Sequence, residues 1–150
     1  MKTKYLLIAA FFALNTVYSQ EVKYDENLAK SLNADHRGMK NYVFCLLTTG
    51  SNTTATDQEK ADLFKGHMDN IMRLAKEGKL ATAGPFGKND RNYRGIFIFN
   101  VTTIEEAKAL VESDPAVKAN LLEAELTLWY ASAALMKVNE IHSTITKPKN

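Results

Sequence analysis

The chain has 150 residues, 45% of them apolar and 24% charged, with a single cysteine. That length supports one hydrophobic core rather than two domains, and the composition excludes both a disordered chain and a collagen-like one. One cysteine excludes an internal disulfide framework and any multi-cysteine zinc site.

The N-terminus reads as a cleavable signal peptide, residues 1–19. Lys2 and Lys4 precede the apolar run Tyr5–Leu14, and Val17 and Ser19 stand at the −3 and −1 positions of a cut after Ser19. The run is shorter than the roughly 20 residues of a bilayer span, so no stable membrane anchor is expected after cleavage. Removing it leaves 131 residues and takes the 19 cations to 17, against 17 anions. A neutral mature chain offers no broad basic surface for nucleic acid. Its expected location is periplasmic or secreted.

Residues 20–40 form a polar leader with weak periodicity, read as a linker or loosely docked arm. Asn41–Thr48 reads as a strand, with Val43, Cys45 and Leu47 on one face and Tyr42, Phe44 and Leu46 on the other. Both faces are apolar, so both should be covered. Cys45 is expected as a buried, inert thiol.

Helical spacing then runs from about Asp57 to Glu77. Thr56 and Glu59 have capping-box spacing, Phe64, Met68, Ile71, Leu74 and Ala75 form the apolar stripe, and Gly78 suits the stop. Lys79–Ala83 is a short strand ending at Gly84–Pro85, where Pro85 offers no N–H for pairing. After the turn-rich stretch Gly87–Asn92, Tyr93–Val101 is the next strand, forming an antiparallel hairpin with its predecessor.

Thr103 and Glu106 repeat the capping-box spacing before a helix through Val111. Asp114–Pro115 opens a second short helical segment, with Asp at the cap and Pro at the first turn. Glu123–Tyr130 is the last strand, Ala131–Met136 extends it irregularly, and 137–150 is a C-terminal tail. The domain is thus expected over residues 41–136.

The order β-α-β-β-α-β predicts a ferredoxin-like α+β sandwich, a four-stranded antiparallel sheet with helices on one face. The second apolar face needs a cover. A second copy packed sheet to sheet, giving a homodimeric α/β barrel, is the simplest. The competing cover is the segment Ala131–Ile141.

His67 falls on the inward stripe, where an imidazole must find a polar partner. Its ordinary pKa near 6.5 suits proton transfer at neutral pH. By spacing alone, His67 reads first as a core histidine and Asp114 first as a cap. Gly84 and Pro85 mark a strand end that something can approach closely. Trp129, Tyr130 and Ser132 cluster at the end of the last strand, where they could line a pocket or fill the sheet. No metal motif, phosphate-binding loop or nucleophile elbow is present, so neither metal nor cofactor is expected. Asn52-Thr53-Thr54 and Asn100-Val101-Thr102 are glycosylation sequons if the source glycosylates exported proteins.

The ordered set of a helical His67, Gly78-Lys79-Leu80, Ala83-Gly84-Pro85, Gly95, Glu105-Glu106-Ala107 and Asp114-Pro115 resembles the YciI-like (YCII-related) family. The resemblance runs from about Asn41 to Tyr130, and the ending Trp129–Leu135 is similar to a variant found in exported members. It implies a dimeric ferredoxin-like barrel and an active site of one His and one Asp, carried here by His67 and Asp114. Related members include a dehydrochlorinase of chlorinated hydroxyhydroquinone, and the fold is shared with muconolactone isomerase. The signal peptide and the leader depart from a cytosolic aromatic-degradation role. The expected function is general acid–base chemistry of isomerase or lyase type on a small organic substrate, with Gly84, Pro85, Trp129, Tyr130 and Ser132 shaping the pocket. The alternative is a non-catalytic dimeric module binding a small ligand.

Overall fold

The computed structural model describes residues 23–148; the expected signal peptide lies outside them. The elements are α1 (Glu26–Ser31), β1 (Met39–Thr49), α2 (Asp57–Lys76), β2 (Leu80–Pro85), β3 (Tyr93–Phe99), α3 (Ile104–Val111), α4 (Pro115–Lys118), β4 (Leu122–Ser132), a 3-10 turn (Ala133–Lys137) and α5 (Val138–Ile145). The four strands form one antiparallel sheet in the order β2-β3-β1-β4. This is the expected α+β sandwich.

Local chemistry sets the boundaries of α2. Thr56 accepts from the Glu59 N–H while the Glu59 carboxylate accepts from the Thr56 N–H, a complete capping box. At the other end Gly78 takes φ +69°. That left-handed turn lets the Gly78 N–H reach Ala75 O and the Lys79 N–H reach Leu74 O, closing the helix.

The two faces of β1 separate as its alternation requires. Val43, Cys45 and Leu47 join Leu74, Phe97, Phe99, Val111 and Leu122 in the core beneath the helices. Tyr42 turns to the opposite face with Ala81, Ile98 and Ala131, and Phe44 and Ile96 pack beside them.

Three elements differ from the sequence expectations. The leader is not uniformly arm-like: Asp25 caps the exposed α1 by accepting from the Leu28 N–H. The C-terminal tail contains α5, where Val138, Ile141 and Ile145 recur at helical spacing and Asn139 Nδ2 donates to Leu80 O at 2.7 Å. The last strand continues through Ser132 because its pairing with β1 persists to Met39. Leu135 and Met136 of the 3-10 turn then pack over Tyr42, Ala81 and Ile98, so the C-terminal segment covers part of the open face. The remainder stays uncovered, with Trp129 41% exposed in a groove lined also by Phe44, Thr82, Ile96, Ile98, Thr127 and Leu135.

Candidate active site

α2 carries His67 inward, one turn before Ile71 and two turns before Leu74. The ring lies over Phe97 of β3, with centroids 5.7 Å apart and planes 27° apart, and Phe64 meets it edge-on at 5.9 Å. Its side chain is 12% exposed. On the other side, Asp114 precedes α4 and is fully buried. Its Oδ1 accepts from the backbone N–H groups of Ala116 (2.9 Å) and Val117 (3.4 Å), which is the cap expected of Asp before Pro. Its Oδ2 lies 2.7 Å from His67 Nδ1.

The protonation states follow from the partners. Burial pushes the Asp114 carboxyl up, but the hydrogen bond and charge of His67, with the two backbone donors, outweigh it and hold Asp114 below the ordinary carboxylate range. An ionised carboxylate can only accept, so His67 Nδ1 carries the hydrogen and donates it. In the neutral ring Nε2 then holds the lone pair. It has no protein hydrogen-bond partner among the described residues.

α2 and α4 meet closely around this pair. A Cβ on Gly66 would stand 2.9 Å from Pro115 Cγ, so only glycine lets α4 seat here without displacement. One turn after His67, Asn70 Oδ1 accepts from Arg73 Nη2 at 2.7 Å, and the same nitrogen donates to Ser113 Oγ at 3.2 Å. The residues flanking His67 thus hold those flanking Asp114.

His67 opens onto a cavity of about 350 Å³ at one end of the sheet. Leu47, Phe64, Met68, Ile71, Phe97 and Leu122 supply apolar walls, and Ala83, Gly84, Pro85 and Gly95 the strand side. Arg94 is the other ionisable residue of the lining. The local strand pairing explains its place. Leu47 pairs with Gly95 but Thr48 pairs with Tyr93, so Arg94 is an extra residue in β3, a β-bulge. No carboxylate lies within ion-pair distance of its guanidinium among the described residues.

The structure brings His67, Asp114, Gly84 and Pro85 together. Trp129, Tyr130 and Ser132 do not line this cavity. Leu122 of β4 lies at the cavity, and Tyr130 is eight residues further along, about 27 Å at strand rise. Trp129 pairs with Tyr42 on the opposite face of the sheet, its ring 6.3 Å from both Tyr42 and Phe44. The Tyr130 hydroxyl donates to the Asp35 carboxylate, and Ser132 Oγ accepts from the Ala134 N–H to start the 3-10 turn. These three residues have structural roles in the chain as described. Conversely, the structure adds Arg94, Asn70 and Gly66 around the site. A polar residue three after an inward histidine was a signal for Asn70; Gly66 and Arg94 depend on pairings no local pattern records.

Both sequon asparagines are engaged through the nitrogen a glycan would need: Asn52 Nδ2 donates to Ala119 O (2.8 Å) and Asn100 Nδ2 to Gly78 O (2.9 Å). Cys45 is buried, its thiol pushed up to about 12 by burial and by the Asp114 charge.

The architecture and the site together define a small α+β domain with one buried His–Asp pair beside a cavity. Residues 42–129, more than half of the chain, match the YCII-related domain, and the chain belongs to that family. Among solved structures it is similar to a 5-chloro-2-hydroxyhydroquinone dehydrochlorinase from Burkholderia phenoliruptrix AC1100, in complex with 2,5-dihydroxybenzoquinone. The identity is 22%, the match covers 58% of this chain and 92% of that one, and the TM-score is 0.42. Among curated proteins none matches the chain.

Proposed function

We propose that the chain is a small acid–base enzyme, of isomerase or lyase type, acting on a small organic molecule held in the cavity beside His67. The observation carrying this reading is the 2.7 Å bond between His67 Nδ1 and Asp114 Oδ2 on a ring that also lines the cavity. Asp114 fixes the tautomer and stabilises the imidazolium formed when Nε2 takes a proton. Returning that proton elsewhere on the substrate isomerises it; loss of a leaving group completes an elimination. Such general acid–base help contributes about 10²–10⁴ in rate. The apolar walls keep water from competing for the proton.

The test is proton exchange. The mature chain is incubated in deuterium oxide with a panel of small molecules carrying acidic C–H groups, and deuterium incorporation is followed by NMR. Enzyme-dependent exchange that disappears in His67→Gln supports the reading. Molecules that bind the cavity but exchange no faster than in buffer, in wild type and variant alike, overturn it and leave the binding module.

We also propose that the protein works outside the cytosol after removal of residues 1–19, as a homodimer joined through the open sheet face. The apolar run after Lys4 and the uncovered Trp129 groove support these two statements. N-terminal sequencing of the exported protein, which should begin at Gln20, tests the first.

A further inference from the structure

The bulge in β3 bears on what the cavity accepts. In a bulge, two residues of one strand stand opposite a single residue of its neighbour, and the extra side chain is re-aimed. Arg94 and Gly95 stand opposite Leu47, which faces the helices and lines the cavity. Regular alternation from Phe97 would send position 94 to the other face; the bulge keeps it with Leu47. Gly95 beside it cannot carry a side chain, since its Cβ would meet Gly84 O at 2.7 Å. Arg94, an exposed residue of the lining, is therefore the one whose side chain this end of β3 can offer to the cavity.

Three features then coincide. The guanidinium is permanently charged, and among the described residues no carboxylate lies within ion-pair distance of it. The rest of the lining is apolar apart from His67. The connection from Pro85 to Tyr93, which leaves the cavity at Pro85, adds Lys88 and Arg91 against Asp90 alone, so it does not supply a neutralising excess of acid. A fork of N–H donors beside an otherwise greasy cavity matches a flat oxyanion on an apolar body.

We propose that Arg94 is the anion-binding residue of this site, and that its substrates are compact, largely apolar molecules bearing a carboxylate or another delocalised oxyanion. This rests on the acid–base reading for the role of His67 but not for the binding itself. Removal of a proton by Nε2 leaves its electron pair on the substrate, as an enolate or a phenolate-like oxyanion; Arg94 holds that charge while His67 carries the proton.

Benzoate and benzamide, nearly equal in shape and differing in charge, are the probes. Each is titrated into the mature chain and followed through the amide signals of Phe97 and Ala83. Benzoate should bind at least about ten-fold tighter than benzamide, the lower end of what a charge-assisted hydrogen bond contributes. Arg94→Gln should remove that preference and leave benzamide binding unchanged, while Arg94→Lys should retain part of it. The preference should also shrink as salt is raised. Equal binding of both probes, a benzoate preference that survives Arg94→Gln, or benzoate binding weaker than about 10 mM overturns the proposal. His67→Gln separates the two readings. Loss of deuterium exchange with benzoate preference intact supports both, and exchange absent even in wild type with the preference intact defeats only the acid–base chemistry.

Discussion

Replacing Asp114 by Asn changes one atom's chemistry and leaves the shape nearly constant. The two N–H groups at the start of α4 need an acceptor, so the Asn oxygen takes the place of Oδ1 against Ala116 and Val117. Asn and Asp are about equal as caps, so this part of the stability survives. The amide nitrogen then faces His67 Nδ1. A donor now meets a donor, and the ring relieves the conflict by moving its hydrogen to Nε2. The lone pair leaves the cavity and points at the amide. A charge-assisted bond worth roughly 1.5–3 kcal/mol becomes a neutral one worth roughly 0.5–1.5, while the desolvation of a buried carboxylate is relieved; the net loss should be about 1 kcal/mol or less. Asp114→Ala removes the cap as well, about 1 kcal/mol, and strands a largely buried ring N–H, about 1–3 more, for a total near 2–4 kcal/mol. Nitrogen-15 spectra of the ring report the tautomer directly, and urea unfolding followed by Trp129 fluorescence reports stability. The two variants also differ from wild type in acid. Asp114 titrates below its unfolded value, so its contribution is complete above about pH 4 and is lost as the pH falls through the folded value. Both variants should lack that component of acid sensitivity. An Asn variant that keeps hydrogen on Nδ1, or that costs as much as Ala, would refute this arrangement of donors.

Three further outcomes are expected. Cys45 should resist thiol reagents at pH 8 in the native protein and react fully in urea, because its thiol lies near 12 and is buried; rapid native labelling would contradict its place in the core. Sedimentation of the mature chain at micromolar concentration should give twice the chain mass, and Trp129→Glu should reduce it to one chain by charging the open face; a wild-type monomer would remove the dimer. Tyr130→Phe should speed amide exchange at Arg37 and Met39, whose N–H groups bond to the Asp35 carboxylate that Tyr130 holds, and should leave ligand binding in the cavity unchanged; a loss of cavity binding would show that Tyr130 belongs to the site after all.

Legibility in the sequence followed the range of the interaction. The Thr56–Glu59 box, the Gly78 stop and the two faces of β1 are decided within a few residues, and each is visible as spacing. The inward direction of His67 is likewise a matter of helical phase. Its bond to Asp114 crosses 47 residues, and no spacing rule encodes it; the resemblance to a family supplied it. The distance between the end of β4 and His67 has a related cause. Trp129, Tyr130 and Ser132 adjoin in sequence, but alternation sends Trp129 and Tyr130 to opposite faces, and the antiparallel pairing with β1 carries all three to the far end of the sheet. Arg94 is harder still, since its direction depends on a slip of one residue in the pairing of two strands.

Asp114 shows why a complete structural explanation of a residue does not exclude a chemical one. A carboxylate is planar and has two oxygens. Once Oδ1 is fixed by two backbone donors that belong to the helix itself, the direction of Oδ2 is fixed as well. Pro115 at the first helical position contributes no N–H that would compete for either oxygen. The cap therefore acts as the mount that aims the second oxygen at His67, and Gly66 lets the whole mount close to hydrogen-bond distance. A cap aimed at solvent would stabilise α4 equally well. What distinguishes this one is that its free oxygen is buried, ionised and spent on an imidazole that also lines a cavity. Keeping a charge out of water only to orient a largely buried ring is costly as architecture, and the acid–base role proposed for His67 gives that cost a reason.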